Sequence, residues 1–214
     1  ISDKQDDESN SAVKVYTQDY ISEEMIGDIR GMWPFGEDNF TEDVSVKTND
    51  LTPVNLDATD LVPGVRGTAF QFDGANDDLR VAQADAADFA FATTTPFSLS
   101  AWVKSDTFPT SASNNDIIMS RNSNPVGAYG WWVGLTNDDA DTTGHFRWSL
   151  QDVSAGGWAI TATTPNDAVQ QGVWYHVVGT FNGGIAGAAG DAKLYVNGEF
   201  IDGNDQNPLF LGLE

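Results

Sequence analysis

The sequence predicts an all-β protein built as a two-sheet antiparallel β-sandwich. Residues 174–181 and 193–196 alternate apolar and polar side chains with the period of two that an extended strand requires. The dipeptide Asn197-Gly198 follows the second run and favours a tight hairpin turn with positive φ. A third run, residues 97–104, shows the same alternation. Together these runs indicate antiparallel strands with one face turned toward a core.

Length and composition limit both the architecture and the partners. The 214 residues contain no cysteine, so we expect one large domain that buries a substantial core without disulfides. Ten basic residues stand against 32 acidic ones, and the formal charge of -22 argues against nucleic acid or an anionic membrane surface as partner. We also expect no membrane insertion, because no apolar run is long enough. The excess of acidic residues has three possible explanations: a salt-rich environment, calcium sites, or descent from a lineage of acidic proteins.

The N-terminal part of the chain predicts a linker followed by short elements. Residues 1–10 are polar and acidic, as in a loop or linker. Residues 12–17 alternate as a strand, and Ser22 followed by two glutamates favours the start of a helical turn. Residues 29–35 predict the opening strand of the domain, with Pro34 at an edge or strand end because it has no amide hydrogen to donate.

Short antiparallel strands, separated by turn-rich loops, are predicted through the rest of the chain. In the strand at 97–104 we expect Phe97, Leu99, Ala101 and Val103 to face inward. The other predicted strands lie at residues 44–46, 51–56, 68–72, 78–82, 117–120, 131–135, 145–150 and 157–162.

Four spaced motifs resemble the laminin-G-like domains of the concanavalin A-like superfamily. They span roughly residues 29–212, and the resemblance implies a jelly-roll β-sandwich over residues 29–214. The motifs are Trp33-Pro34-Phe35, residues 69–74 with Asp77-Asp78, residues 97–104, and residues 174–183 with 194–198.

Residues 11–28 resemble the closing strand and helical turn of such a domain, although here they precede it. Val13, Val15 and Tyr16 carry the strand pattern, and residues 207–212 resemble the family's penultimate strand. An open sheet edge is an aggregation hazard, so we expect a strand to fill it. The segment at 12–17 could add the closing strand to its own sandwich, or it could add it to a neighbouring copy or repeat. Alternatively, the sequence could be a fragment of a tandem array, and the closing strand of this domain would then be missing from it. A chance resemblance over this short segment is the fourth explanation.

The sequence does not predict an enzyme. Glycosidases on the fold that the resemblance implies place two carboxylates on one strand so that both face the same sugar. Glutamates stand at positions 8, 23, 24, 37, 42, 199 and 214, and none alternates with a second acid along a predicted central strand. The histidines are His145 and His176, and the resemblance implies a packed, hydrogen-bonded role for His176.

Calcium is the candidate cofactor, since hard cations bind several oxygen ligands that converge from loops. Two acidic loops, at residues 137–141 and 73–78, offer such ligands, and in both the alternative is a turn whose acidic side chains are solvated. In the loop at 73–78, the dipeptide Asp73-Gly74 is also typical of a turn, and Asp77 or Asp78 could accept hydrogen bonds from backbone amides. The candidate ligands are Asn137, Asp138, Asp139 and Asp141 in one loop, and Asp73, Asp77 and Asp78 in the other.

Glycan binding requires aromatic faces outside the core, because sugar rings stack on them. Strand alternation predicts that Trp102 points outward, and we expect Trp174, His176, Tyr195 and Arg147 to share an outer face. Covering of Trp102 and Trp174 by loops is the alternative. Since Trp131 and Trp132 are adjacent in a strand, we expect one of them to be exposed. The candidate ligand-binding residues are Trp102, Trp131, Trp132, Arg147, Trp174 and Tyr195.

We therefore expect a non-catalytic recognition or adhesion module of an extracellular or cell-surface protein. Its expected partner is a glycan or surface glycoprotein, with calcium as an optional cofactor. The alternative is a structural subunit of a surface filament, stalk or virion that assembles with copies of itself. Val13, Val15 and Tyr16 would then complete the sheet of a neighbour.

Overall fold

The computed structural model describes residues 27–82, 84–91, 95–109, 115–122, 130–136, 144–152, 158–166, 168–183 and 192–204. The chain divides into two compact units, Ile1–Asp88 and Phe89–Glu214. The predicted linker at residues 1–10, the strand at 12–17 and the segment at 207–212 lie outside the described residues.

The first unit contains two small antiparallel sheets of two strands each. Strand β1 pairs with β4, and β2 pairs with β3. A 3-10 helix, Ala58–Asp60, begins at Asp57, whose side chain accepts a hydrogen bond from the amide of Thr59 at 2.7 Å. A second 3-10 helix spans Ala86–Phe89. The strands are β1 (Leu51–Val54), β2 (Leu61–Pro63), β3 (Thr68–Phe70) and β4 (Asp78–Val81).

Two predicted strands of this unit are not strands in the structure. Residues 29–35 form no ladder: the amide of Met32 donates to the side chain of Asp43 at 2.8 Å, and Phe35 has a φ of 53°. Residues 44–46 lie in a turn, and both of their valines are exposed. The predictions were wrong because alternation alone does not supply the neighbouring strand that a ladder needs.

The second unit holds two four-stranded antiparallel sheets. The first sheet has the order β12-β11-β10-β5, and the second has the order β6-β7-β8-β9. This all-β antiparallel architecture confirms the predicted class of fold. The strands are β5 (Phe97–Lys104), β6 (Asn115–Asn122), β7 (Gly130–Thr136), β8 (His145–Asp152), β9 (Trp158–Thr163), β10 (Trp174–Phe181), β11 (Ala192–Val196) and β12 (Glu199–Asn204).

Alternate residues of both sheets face a shared core. In the first sheet β10 pairs with β5 from Trp174 opposite Lys104 to Phe181 opposite Phe97. In the second sheet the fully buried Trp148 donates from its indole nitrogen to the carbonyl of Thr180 in the first sheet at 3.0 Å. The buried core residues are Leu99, Trp131, Val133, Leu135, Phe146, Trp148, Leu150, Ile160, Ala162, Val169, Val177, Phe181, Ala192 and Leu194.

A hairpin and a side-chain hydrogen bond fix the position of the edge strand β12. Asn197 and Gly198 adopt φ values of 52° and 83°, which confirms the predicted turn between β11 and β12. The carboxylate of Asp202 in β12 accepts from the amide of Thr163 in β9 at 2.9 Å. This bond ties an edge of the first sheet to an edge of the second. Among the described residues, no helix is long and apolar enough to cross a membrane.

Candidate ligand-binding face

The outward side chains of the first sheet form a continuous surface, which we call the outer face. They alternate along each strand with the residues that fill the core, so the alternation predicted for β5 and β10 is confirmed. The members are Ser98, Ser100, Trp102 and Lys104 on β5, Trp174, His176, Val178 and Thr180 on β10, Lys193 and Tyr195 on β11, and Phe200 on β12.

Trp102 and His176 form the centre of the outer face. They lie opposite each other on neighbouring strands, and their rings stack with centroids 5.1 Å apart and planes inclined by 27°. The hydroxyl oxygen of Ser100 lies 2.7 Å from Nε2 of His176, which fixes the imidazole. Trp102 remains 49% exposed. A large aromatic ring is therefore held in place and open to solvent.

His176 is also anchored through its backbone to the hairpin turn. Its amide donates to Oδ1 of Asn197 at 2.9 Å, and its carbonyl accepts from the amide of Asn197 at 2.8 Å. The bond from the ring to Ser100 and the stack on Trp102 agree with the predicted packed and hydrogen-bonded role for His176. The ring that supports Trp102 is thus positioned by β5, β10 and the turn after β11.

A cation–π contact and an aromatic pair flank this centre. Nζ of Lys104 lies 5.6 Å from the ring centroid of Trp174, the geometry of a cation–π contact. Tyr195 packs edge-on against Phe200, with ring centroids 5.7 Å apart, and Phe200 is 57% exposed. The outer face thus offers aromatic surface across all four strands of the sheet.

The predicted exposure of Trp131 or Trp132 is wrong, since their exposed fractions are 5% and 7%. Trp131 points into the core, where its ring lies 6.3 Å from that of Trp148. Trp132 is on the opposite side of β7, and its ring edge reaches over Gly134. A Cβ at Gly134 would lie 3.3 Å from Cζ3 of Trp132, so the absence of a side chain there leaves room for the ring.

Arg147 does not share a face with Trp174 and Tyr195, and that expectation is also wrong. Arg147 lies on β8 in the second sheet, opposite Gly134, whereas Trp174 and Tyr195 belong to the first sheet. Strand alternation assigns a residue to one side of its own strand, but it does not say which sheet the strand joins. The structure therefore leaves Trp102, Trp174 and Tyr195 together, joined by Phe200.

Phe200 was not among the residues predicted from the sequence, although a signal was present. A two-residue turn at Asn197-Gly198 fixes the register of the hairpin, so that residue 200 must oppose residue 195. An aromatic pair at these two positions follows from the turn alone. Extending the predicted alternation past the turn would have found it.

The acidic loop at residues 73–78 is built as a hydrogen-bonded turn. The carboxylate of Asp77 accepts from the amide of Asp73 at 2.7 Å, and Asp73 accepts from the amide of Ala75 at 2.8 Å. Asp78 pairs with Arg80. Within the described residues no group of three or more histidine or acidic side chains could hold a metal ion. The other candidate loop, with Asn137, Asp138, Asp139 and Asp141, lies outside the described residues.

The family profile described as "Concanavalin A-like lectin/glucanases superfamily", of the laminin G type, matches residues 73–211, more than half of the chain. Searches of curated proteins and of solved structures find no match. The superfamily supports a module of the carbohydrate-binding or adhesion type. Laminin G-like lectin domains are generally non-catalytic, although the superfamily includes glycosidases, and they are typically extracellular. By this match, the chain belongs to the laminin G-like family of the concanavalin A-like lectin/glucanase superfamily.

Proposed function

We propose that this chain is a non-catalytic extracellular module that recognises a glycan through the outer face. The observation that carries the proposal is the ring of Trp102, which is 49% exposed yet held by its stack on His176. A fixed aromatic ring loses little conformational freedom when a ligand stacks on it.

Polar groups around Trp102 complete the requirements of a sugar site. Ser98 and Ser100 are exposed on the same strand, and Lys104 is exposed beyond Trp102. Sugars combine apolar ring faces with hydroxyls in fixed directions, so an aromatic platform beside a few hydrogen-bonding groups fits their chemistry.

Trp102→Ala tests the proposal. We expect this variant to weaken the affinity for any oligosaccharide that the parent binds by about five- to thirtyfold in calorimetric titration, with a matching loss of signal on an array of diverse oligosaccharides. Stacking on one aromatic ring contributes roughly 1–2 kcal/mol, and each factor of ten corresponds to about 1.4 kcal/mol. Repeating the titration after chelation with EDTA tests the dependence on calcium that residues 137–141 suggest.

Ile117→Ala provides the matched control. Ile117 is 48% exposed on β6, in the other sheet of the same unit, so this change also removes exposed apolar surface from a strand. The control should bind glycan as the parent does. A parent chain that binds no member of the array, or a Trp102→Ala variant with full affinity, would contradict the proposal.

A structural subunit that assembles with its own copies is the second candidate. One observation favours it: among the described strands, β5 has a hydrogen-bonded neighbour on one side only, namely β10. The sequence of residues 12–17, with Val13 and Val15 alternating with Lys14 and Tyr16, suits a strand added to such an edge. The charge of -22 opposes the idea, because copies repel one another.

Light scattering on the purified chain separates this candidate from the first. Assembly by strand addition predicts oligomers that dissociate when Val15→Pro removes the amide hydrogen from the added strand. A chain that stays monomeric at high concentration would exclude assembly by this route.

A further inference from the structure

We propose that the second unit binds a small monovalent anion such as chloride on the inner side of strands β6 and β7, through the side chains of Arg121 and Trp131. These strands belong to the second sheet, whereas the outer face belongs to the first, so the inference is independent of glycan recognition. It comes from two buried hydrogen-bond donors that have no acceptor within the described part of the chain.

The register of β6 and β7 places Arg121 on the side of the sheet that faces the core. Arg121 lies opposite Trp131, and paired residues project from the same side of a sheet. Trp131 is a core residue with an exposed fraction of 5%. The inward pair before it, Met119 opposite Val133, also packs in the core. An arginine therefore shares the inner side of this sheet with apolar residues.

Both side chains bury an N–H group. Nε of Arg121 and Nε1 of Trp131 are shielded from solvent, and neither nitrogen has an acceptor within the part of the chain that the structure describes. Residues that face each other on neighbouring strands have Cβ atoms about 5 Å apart, so a single acceptor can contact both side chains. A buried donor that lacks a partner is costly, and a charged donor is the more costly of the two. The pair therefore favours one shared acceptor.

The described surroundings of Trp131 supply no acceptor side chain. Its ring lies 6.4 Å from the ring of Phe91, 5.8 Å from that of Phe97 and 6.3 Å from that of Trp148. Leu150 lies opposite Trp131 on β8. These four neighbours are apolar or, in the case of the indole of Trp148, offer only a donor.

Arg121 differs from other basic residues of this acidic chain. Lys47 and Arg80 have carboxylate partners in Asp88 and Asp78. The chain has 32 acidic residues for ten basic ones, yet no carboxylate among the described side chains pairs with Arg121. A negative charge supplied from solution would balance this partly buried guanidinium group.

The charge and the packing of the site define the class of anion. One guanidinium group is neutralised by one negative charge, so a monovalent anion leaves no excess charge buried. Protein interiors are close-packed, which limits the space beside the two N–H groups. A spherical ion such as chloride accepts hydrogen bonds from any direction. Sulfate and phosphate are larger and carry more acceptor oxygens than two donors can satisfy.

The test is a chloride titration followed by two-dimensional NMR of the indole N–H groups of the seven tryptophans. Sodium chloride replaces sodium gluconate at constant ionic strength, so that screening by salt does not change. Trp131→Phe assigns the resonance of Trp131. We expect this resonance to shift with chloride and to reach saturation. The resonance of Trp148, whose indole donates to the carbonyl of Thr180, should not shift and serves as the internal control.

Arg121→Gln should weaken the apparent affinity for chloride by about ten- to hundredfold, because the hydrogen bond from a charged donor is lost. An unchanged Trp148 resonance in this variant shows that the core is intact. Arg66→Gln is the matched control, since it removes the same charge at an exposed position of the other unit and should leave the affinity unchanged. Equal affinity in Arg121→Gln and the parent overturns the inference.

The parent titration is decisive even if Arg121→Gln does not fold. A Trp131 resonance that is the same in chloride and in gluconate overturns the inference, because a water molecule or a group of the chain then accepts from the indole. Asp152 lies at the same end of the sheet, opposite Trp158 on β9, and Asp152→Asn tests its carboxylate. A chloride-independent Trp131 resonance that moves in Asp152→Asn would assign the acceptor to that carboxylate. A chloride-dependent shift that persists in Asp152→Asn supports the anion site.

Discussion

The side chain of Asp43 organises a loop of the first unit, and this loop contains no regular strand. Its carboxylate is 3% exposed and accepts hydrogen bonds from the amides of Met32, Ser45 and Asn49 at 2.8–2.9 Å and from the hydroxyl of Ser45 at 2.8 Å. Burial by itself raises the pKa of a carboxyl group. Here the hydrogen bonds, with that of Met32 foremost, outweigh burial and hold the pKa of Asp43 below its ordinary value of 3.8.

Asp43→Asn should lower the free energy of unfolding by about 1–3 kcal/mol, because an amide has one acceptor oxygen and sets its NH₂ group against the backbone donors. Urea titration followed by tryptophan fluorescence measures the change. Asp38→Asn is the control, since Asp38 is exposed and the substitution removes the same charge. Equal stability of the two variants would contradict this account of Asp43.

The same carboxylate predicts a pH dependence. Since the folded pKa lies below the unfolded one, the stabilisation is complete above about pH 4 and is lost as the pH falls through the folded value. Asp43→Asn should therefore lose less stability than the parent between about pH 4.5 and about pH 2.5. Parallel stability curves for the parent and the variant would show that Asp43 is not the titrating group.

Strand β10 depends on a glycine for its close approach to the opposite sheet. Gly179 faces inward, and a Cβ placed there would lie 2.7 Å from Cδ2 of Trp148. Trp148 cannot move aside readily, because it is fully buried and its indole donates to the carbonyl of Thr180. The indole ring of Trp148 on β8 therefore occupies the space that a side chain at Gly179 on β10 would need.

Gly179→Ala should destabilise the second unit by about 1–3 kcal/mol through overpacking against Trp148. Thermal unfolding followed by near-ultraviolet circular dichroism reports both the stability and the environment of the tryptophan. Gly36→Ala is the matched control, since a Cβ at Gly36 meets nothing within 4 Å. A Gly179→Ala variant as stable as this control would mean that the sheets can separate without cost.

At the scale of the whole molecule, charge is the dominant feature. The formal charge of -22 at pH 7 places many like charges on one chain. Such self-repulsion opposes the compact state but keeps copies apart in solution. Salt screens this repulsion.

Raising NaCl from about 0.1 M to about 1 M at pH 7 should raise Tm by several degrees, because the Debye length falls from about 10 Å to about 3 Å. Differential scanning calorimetry measures the shift. The control is the same titration near the sequence pI of about 4.1, where the net charge is close to zero and the gain should be small. A Tm that is unchanged or lower in high salt at pH 7 would show that self-repulsion does not limit stability.

The sequence by itself determined the local geometry of the second unit. The limits of β5 and β10, the inward and outward sets on each strand and the turn at Asn197-Gly198 all followed from it. These features depend on the side-chain period of two and on the φ preferences of single residues, both of which are local. The exposure of Trp102 follows from the same alternation, and so would that of Phe200.

Only the tertiary structure decided which strands become neighbours and what covers them. Arg147 was separated from Trp174 because β8 joins the other sheet, and Trp132 was buried although its side of β7 points away from the core. Residues 29–35 did not form a strand, because the amide of Met32 bonds to the side chain of Asp43 and its carbonyl to the amide of Val44, which lies in a loop. Sheet membership and burial arise from contacts between residues far apart in the chain, and a pattern that repeats every second residue carries no information about them.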